Sequence, residues 1–265
     1  MVRLNLLILL CQVAFQISLC QLVINVRNQG GDVLHENLIA NTSDETILLE
    51  FRKPEGTHVT QFIDFKMEVQ VFRVLVLGEE EQSQNLYQVM CFVTRFNKVN
   101  FISVDAMSKL RQRNPTAIRQ PEEDRGRELL SMDLGVDLTK SSIISPHLPA
   151  FCQEAADATY AREVDLRGWA TTKASSKDLV DLTAAVHHLP SDPSLVHCNA
   201  SSNWWQPCQC HLEVCVGWYP CGLKYCRGKD ATSGRPTSFR CGIKSCRKCR
   251  DFEYYVREKR QCLWD

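Results

Sequence analysis

Beyond residue 19 the 265-residue sequence has no long apolar run, so nothing there approaches the ~20 apolar residues of a membrane-spanning helix. It has no excess charge of either sign, with Lys+Arg 31 against Asp+Glu 31, and so lacks the bulk basicity of a nucleic-acid binder. A nucleophile elbow, an HExxH motif, a phosphate-binding glycine loop and a dinucleotide fingerprint are all missing. Scattered Ser, His and Asp residues share no spacing that implies a common site. These absences predict a non-enzymatic protein with no cofactor and no nucleic-acid partner. Cysteine is scarce before residue 198 and abundant after it: ten of the fourteen lie between Cys198 and Cys262.

The first twenty residues decide what those thiols can do. Arg3 precedes Leu4–Leu10, and the apolar run continues to Leu19 with Gln12 and Gln16 inside it. Residues 1–20 read as a secretory signal peptide, with the small residues Ser18 and Cys20 ahead of a cleavage before Gln21. An uncleaved anchor is the alternative, because Arg3 has the charge sense for it. Cleavage removes Cys11 and Cys20 and leaves twelve cysteines, an even number. In an oxidising compartment clustered cysteines pair, so six disulfides are expected. The sequons Asn41-Thr42-Ser43 and Asn199-Ala200-Ser201 fit the same route. The expected product is secreted, extracellular and without a membrane span.

The balanced charge conceals an asymmetry. From Cys198 onward there are 12 basic against 6 acidic residues, while residues 21–197 hold 18 against 25. A solvated surface is the plain reading; the alternatives are mutual attraction of the two parts, or an anionic partner for the basic one.

From Gln21 to about Asp165 the pattern predicts an α+β domain. Gln21–Arg27, Val33–Ala40, Thr46–Arg52, His58–Phe65, Val69–Leu77 and Leu86–Phe96 read as strands of an antiparallel meander, separated by turns such as Asn28–Asp32 and Pro54–Thr57. Ser103 is placed to cap a helix that ends at Asn114-Pro115. Thr116–Arg127 reads as an exposed loop, Leu129–Leu138 as one more strand, and Pro149–Arg162 as a second helix. The expectation is one antiparallel sheet with two flanking helices, followed by a small disulfide-rich domain. Cys91 and Cys152, the two cysteines of this part, form one bridge in the simplest reading. Residues 166–197 read as a further helix, capped by Ser176, and a Pro-rich linker. The His187-His188 pair faces two ways on such a helix and so reads as solvated.

Residues 198–265 form the stapled domain. Zinc deserves weighing, because Cys208-Gln209-Cys210-His211, Cys221-x4-Cys226 and Cys241-x4-Cys246-x2-Cys249 supply ligand types. Only Cys246–Cys249 has the two-residue spacing that structural zinc sites favour, and disulfides are the better reading for Cys198, Cys208, Cys210, Cys215, Cys221, Cys226, Cys241, Cys246, Cys249 and Cys262. A redox role for Cys246–Cys249 lacks the surrounding βαβ pattern. Lys244, Arg247, Lys248 and Arg250 are the densest basic cluster, and sulfated glycans are the polyanions they would attract outside a cell. Arg257–Arg260 resembles a processing site, although cleavage there would leave the C-terminus held by Cys262.

The run Cys91–Phe96, followed by Asn100–Asp105, resembles the BRICHOS domain, with Cys152 as the partner cysteine and Asp64 as its buried acidic residue. The stretches Phe51–Thr57, Met107–Pro115, Trp218–Cys226, Cys241–Cys246 and Cys262–Asp265 resemble the Out at first family over nearly the whole chain. That family combines a BRICHOS-like front with a cysteine-rich C-terminal domain. Within this resemblance Cys215 and Cys249 are additions to the usual set and pair with each other, leaving eight cysteines open to 105 arrangements. The resemblance implies a secreted protein acting in development through an unidentified extracellular protein partner. The alternative it implies is an extracellular chaperone that binds β-prone segments. BRICHOS precursors carry a membrane anchor and a client segment, and this chain has a cleavable leader and a stapled module instead.

Overall fold

The computed structural model describes residues 20–79, 84, 86–112, 114–171, 179–190, 195–229 and 236–263. Residues 1–19 of the expected signal peptide, the expected Ser176 cap and most of the Pro-rich linker lie outside them.

Period-two alternation builds an antiparallel meander of six strands, as expected. These are β1 (Cys20–Arg27), β2 (Val33–Asn41), β3 (Thr46–Arg52), β4 (His58–Asp64), β5 (Val69–Leu77) and β6 (Tyr87–Arg95). The β3–β4 turn relies on Gly56 at φ 96°, where a side chain would also meet Leu77 Cδ1 at 2.8 Å, so only glycine fits there. The sheet then grows from both edges. Beside β1 lies the short parallel strand β7 (Ile118–Arg119). Beyond β6 come β10 (Thr159–Ala161), β9 (Leu134–Val136) and β11 (Val186–His188).

A second sheet has three strands. Its long hairpin, β12 (Cys208–Lys229) and β13 (Pro236–Val256), is joined in parallel by β8 (Glu123–Met132). This sheet lies on one face of the meander. Their shared core runs from Leu22, Leu38 and Phe72 to Leu212, Val214 and Phe252. Phe92 of β6 stacks on Phe252 of β13 with ring centroids 4.3 Å apart. On the opposite face Val71, Cys91 and Val93 meet Leu148, Leu166, Trp169 and Leu182. The order of layers is therefore hairpin sheet, meander, short helices.

Several expectations are corrected by tertiary pairing. The helix predicted over Pro149–Arg162 breaks into one helical turn, Leu148–Phe151, a 3-10 turn, Gln153–Ala155, and then strand β10. Cys152, bonded to Cys91, holds the chain against β6, where Thr159 and Tyr160 pair in parallel. Main-chain pairing there outweighs the helix preference of the local alanines. Sheets, with short helices as cover, replace the predicted pair of flanking helices. The Ser103-capped helix does form, with Ser103 Oγ accepting from Ala106 N at 3.2 Å, but spans only Val104–Ser108. Thr116–Arg127 contains β7 and the start of β8 instead of a loop. The strand predicted over Leu129–Leu138 divides at Asp133 between the two sheets. The helix predicted ahead of the linker ends at Ala184, and His187 and His188 stand on β11.

One buried acid fastens the two sheets. Glu36 of β2 is in phase with Leu34, Leu38 and Ala40 and is fully buried. Its Oε1 accepts from Gly217 N at 2.9 Å, and both carboxyl oxygens accept from Trp218 N at 3.2 Å. The register of β12 on β13 shifts between Val216 and Tyr219, and this irregularity frees the two N–H groups to turn toward β2. A Cβ on Gly217 would lie 3.0 Å from Val26 and 3.1 Å from Glu36. Burial pushes the Glu36 carboxyl up to about 8, with the Gly217 and Trp218 donors pulling the other way.

A carboxyl raised this way favours folding fully below its unfolded value of 4.5 and loses that contribution as pH rises through about 8. Urea denaturation of the wild type across this window, compared with Glu36→Gln, should give a difference curve falling with pH. Its slope should be at most ~1.4 kcal/mol per pH unit, and parallel curves would contradict the assignment. Replacing Cys91 and Cys152 together by serine opens a loop with a sequence separation of 61. The same measurement should find a loss of about 2–5 kcal/mol.

Candidate functional site

The hairpin carries the features that distinguish this molecule. From Cys208 to Trp218 burial alternates, because one face of β12 lies on the meander. Beyond Cys221, residues 222–228 on β12 and 237–244 on β13 are exposed or half-exposed on both faces. A bare two-stranded ribbon is marginally stable in water, and two cross-strand bonds hold this one: Cys221–Cys246 at its root and Cys226–Cys241 further out. On the stapled segment Tyr225 is 63% and Phe239 51% exposed. Arg227 and Arg240 sit beside them with no ion pair among the described residues. Neither aromatic stands out among the candidate site residues of the sequence. The signal that could have placed them outside is the basic composition of their surroundings, where Asp230 is the one acid between Cys221 and Arg250.

Between the ribbon and the meander lies an open groove of about 520 Å³. Leu22, Ile24, Ala106, Trp218, Leu223 and Ile243 form its apolar wall, and Arg111, Arg119 and Arg240 lie along it.

The remaining disulfides close the base of the hairpin. Cys198 pairs with Cys208, Cys210 with Cys262, and Cys215 with Cys249 directly across the two strands. Together with Cys91–Cys152 these use all twelve cysteines from residue 91 onward. Sulfurs of Cys198, Cys210 and Cys262 lie within 4.8 Å of one another, but a disulfide sulfur offers a metal no thiolate. Cleavage at Arg257–Arg260 would leave residues 261–265 tethered by the Cys210–Cys262 bond.

The basic cluster is divided between the acids of β8 and the interior. Lys244 pairs with Glu123, Arg247 NH1 lies 2.8 Å from Asp124 Oδ2, and Lys248 Nζ lies 2.5 Å from Glu128 Oε2. All three acids belong to β8, so the acidic front and basic back meet each other along this pairing. The Lys244 ammonium, bonded to Glu123, holds that carboxyl below its usual range. Arg250 differs: it points inward in phase with Phe252 and Tyr254, and its guanidinium lies 4.8 Å over the Phe72 ring. Burial lowers its pKa, against the opposing pull of Glu128 and then Tyr219.

Asp64 is buried at the end of β4. It accepts from Ser145 Oγ at 2.7 Å and from Met67 N at 2.9 Å, clamping the loop after β9 to the meander. Of the sequon residues, Asn199 is exposed on a 3-10 turn, Cys198–Ala200. Asn41 is half-exposed at the end of β2, where its side chain donates to Asp44 Oδ2 at 2.8 Å. Among the described residues no helix is long and apolar enough to cross a membrane. Six disulfides and the lack of such a helix are compatible with an extracellular protein.

No solved structure matches the chain. Two family models do: "Out at first" over residues 20–169, and "Out at first, C-terminal" over residues 197–265. The chain is 55% identical to the Out at first protein of Drosophila virilis over 94% of its own length and 83% of the relative's. Identity to the Out at first protein of Drosophila melanogaster is 54%, over 92% of this chain and 52% of that longer one. With both family models matched and this identity sustained across both sheets, the chain belongs to the Out at first family.

Proposed function

We propose that the protein is a secreted, non-enzymatic binding protein that acts in development by docking another extracellular protein on the outer part of its stapled hairpin. The observation that carries this reading is the exposure of Tyr225 and Phe239 on a ribbon made rigid by Cys226–Cys241. Aromatic side chains bring large contact area at low entropic cost, and arginine neighbours are enriched in such patches. Arg227 and Arg240 favour an acidic partner surface. Secretion is supported by the leader-like residues 1–20, the full pairing of the later cysteines, and the exposed sequon residue Asn199.

Two other partners have less to stand on. A sulfated glycan would have to displace β8 acids from Lys244, Arg247 and Lys248. A BRICHOS-type chaperone needs an open apolar sheet face to receive a strand, and both faces of the meander are covered.

The full secreted chain, labelled and applied to cells and matrix, tests the proposal. Replacing Tyr225 and Phe239 by serine should reduce bound protein about tenfold or more and leave the melting temperature within a degree or two. Equal binding by that variant would remove the hairpin from the reading. If the variant and the wild type both slow fibril formation of an unrelated β-prone peptide below one equivalent, the chaperone reading takes its place.

A further inference from the structure

A polar chamber of about 170 Å³ interrupts the core between the two sheets. Its floor comes from three polar residues at apolar-face positions on adjacent strands. Gln61 is in phase with Val59 and Ile63, Gln70 with Phe72 and Val74, and Thr94 with Met90 and Phe92. Gln70 and Thr94 are direct cross-strand partners, and Gln61 Nε2 donates to Gln70 Oε1 at 3.2 Å. The roof is β13, which contributes Arg250 and Lys248.

Most charges around the chamber are already answered. Lys248 pairs with Glu128, and Arg162 holds Asp165 through two bonds of 2.7 and 2.9 Å. Arg250 is only 9% exposed, and its Nε is buried without a hydrogen-bond partner. Thr94, 2% exposed, has an unpartnered hydroxyl on the same chamber. Glu128, the acid whose charge acts on Arg250, is already bonded to Lys248, and a buried charged group with an orphaned donor is costly. Water could accept from these groups, but it brings no charge and its own protons need acceptors. The Arg250 Nε–H and the Gln70 amide nitrogen can only donate, and the Thr94 hydroxyl is free to do so. An anion that only accepts fits this set, and the volume is well above the ~10–15 Å³ that a single water needs.

We infer that the chamber between the sheets binds a small oxyanion, with Arg250 supplying the counter-charge and Thr94 a second donor. The site is independent of the hairpin reading, because it lies in the core and not on the stapled ribbon. Its ligand chemistry is that of inorganic sulfate or phosphate. Occupancy would complete the contact between Arg250 and the strands β4 to β6, so the anion would stabilise the junction of the two sheets.

Thermal unfolding of the full chain in 0–20 mM sulfate or phosphate, with ionic strength held constant by sodium chloride, tests the inference. The wild type should gain several degrees along a saturating curve. Arg250→Met should lose that response, and Lys244→Gln, on the paired surface, should keep it. A gain that is absent, or that rises without saturation and equally in Arg250→Met, is general salting of the surface and overturns the site. Should Arg250→Met not fold, Thr94→Val serves. It should raise the half-saturating concentration several-fold, and an unchanged value also overturns the inference. A selenate-soaked crystal with no anomalous peak beside Arg250 would do the same.

Discussion

Glu36 shows what holding two sheets face to face requires. Apolar burial between the meander and the hairpin supplies most of the attraction, but it is indifferent to register. The carboxyl group converts a general attraction into one position: its oxygens can be satisfied only where β12 is irregular, at Gly217 and Trp218. Those N–H groups in turn have their acceptor in Glu36, so each side of the contact supplies what the other lacks. A slip of one residue would leave a buried carboxyl and two buried donors unpaired, which costs several kcal/mol.

Charge adds a second register mark on the other side of the hairpin. The acids of β8 meet the bases of β13 at Glu123–Lys244, Asp124–Arg247 and Glu128–Lys248, and its Arg127 meets the acid Glu213 of β12. These side chains are half-buried to exposed, and surface pairs are worth ~0–1 kcal/mol each. Their weight lies in choosing one parallel alignment among several, because like charges would face each other in most alternatives. The zero net charge of the chain thus has a structural meaning: the acidic front and basic back are complements in space.

The meander was legible because each strand carries its own alternation, from Gln21–Arg27 through Val69–Leu77. Local signals failed where a distant partner decides conformation. Thr116–Arg127 is polar enough to read as a loop, and Glu123 to Arg127 become strand through β13. The alanines before Tyr160 favour helix until Cys91–Cys152 brings them to β6. Of the features that define the candidate sites, Glu36, Gln61, Gln70 and Thr94 are not singled out in the sequence, for a common reason. Each is a polar residue in phase with an apolar face, and alternation was read to find strands without asking what broke it. The basic cluster around Lys244 and Arg250 was visible as composition. Its division into paired surface and buried interior needed the second sheet.

The parallel pairing of β8 with β13 bears on the order in which the chain can assemble. Arg247 and its partner Asp124 are 123 residues apart, and Glu36 waits for Gly217 across 181. Contacts of such long span are formed late and slowly. During synthesis the meander therefore emerges with one apolar face bare and a buried-to-be acid still in water, and remains so until the last quarter of the chain arrives. The covering hairpin is itself fastened late, when Cys262 arrives to close the bond with Cys210. A truncated product would display the uncovered face, the kind of exposed apolar surface by which unfinished proteins aggregate.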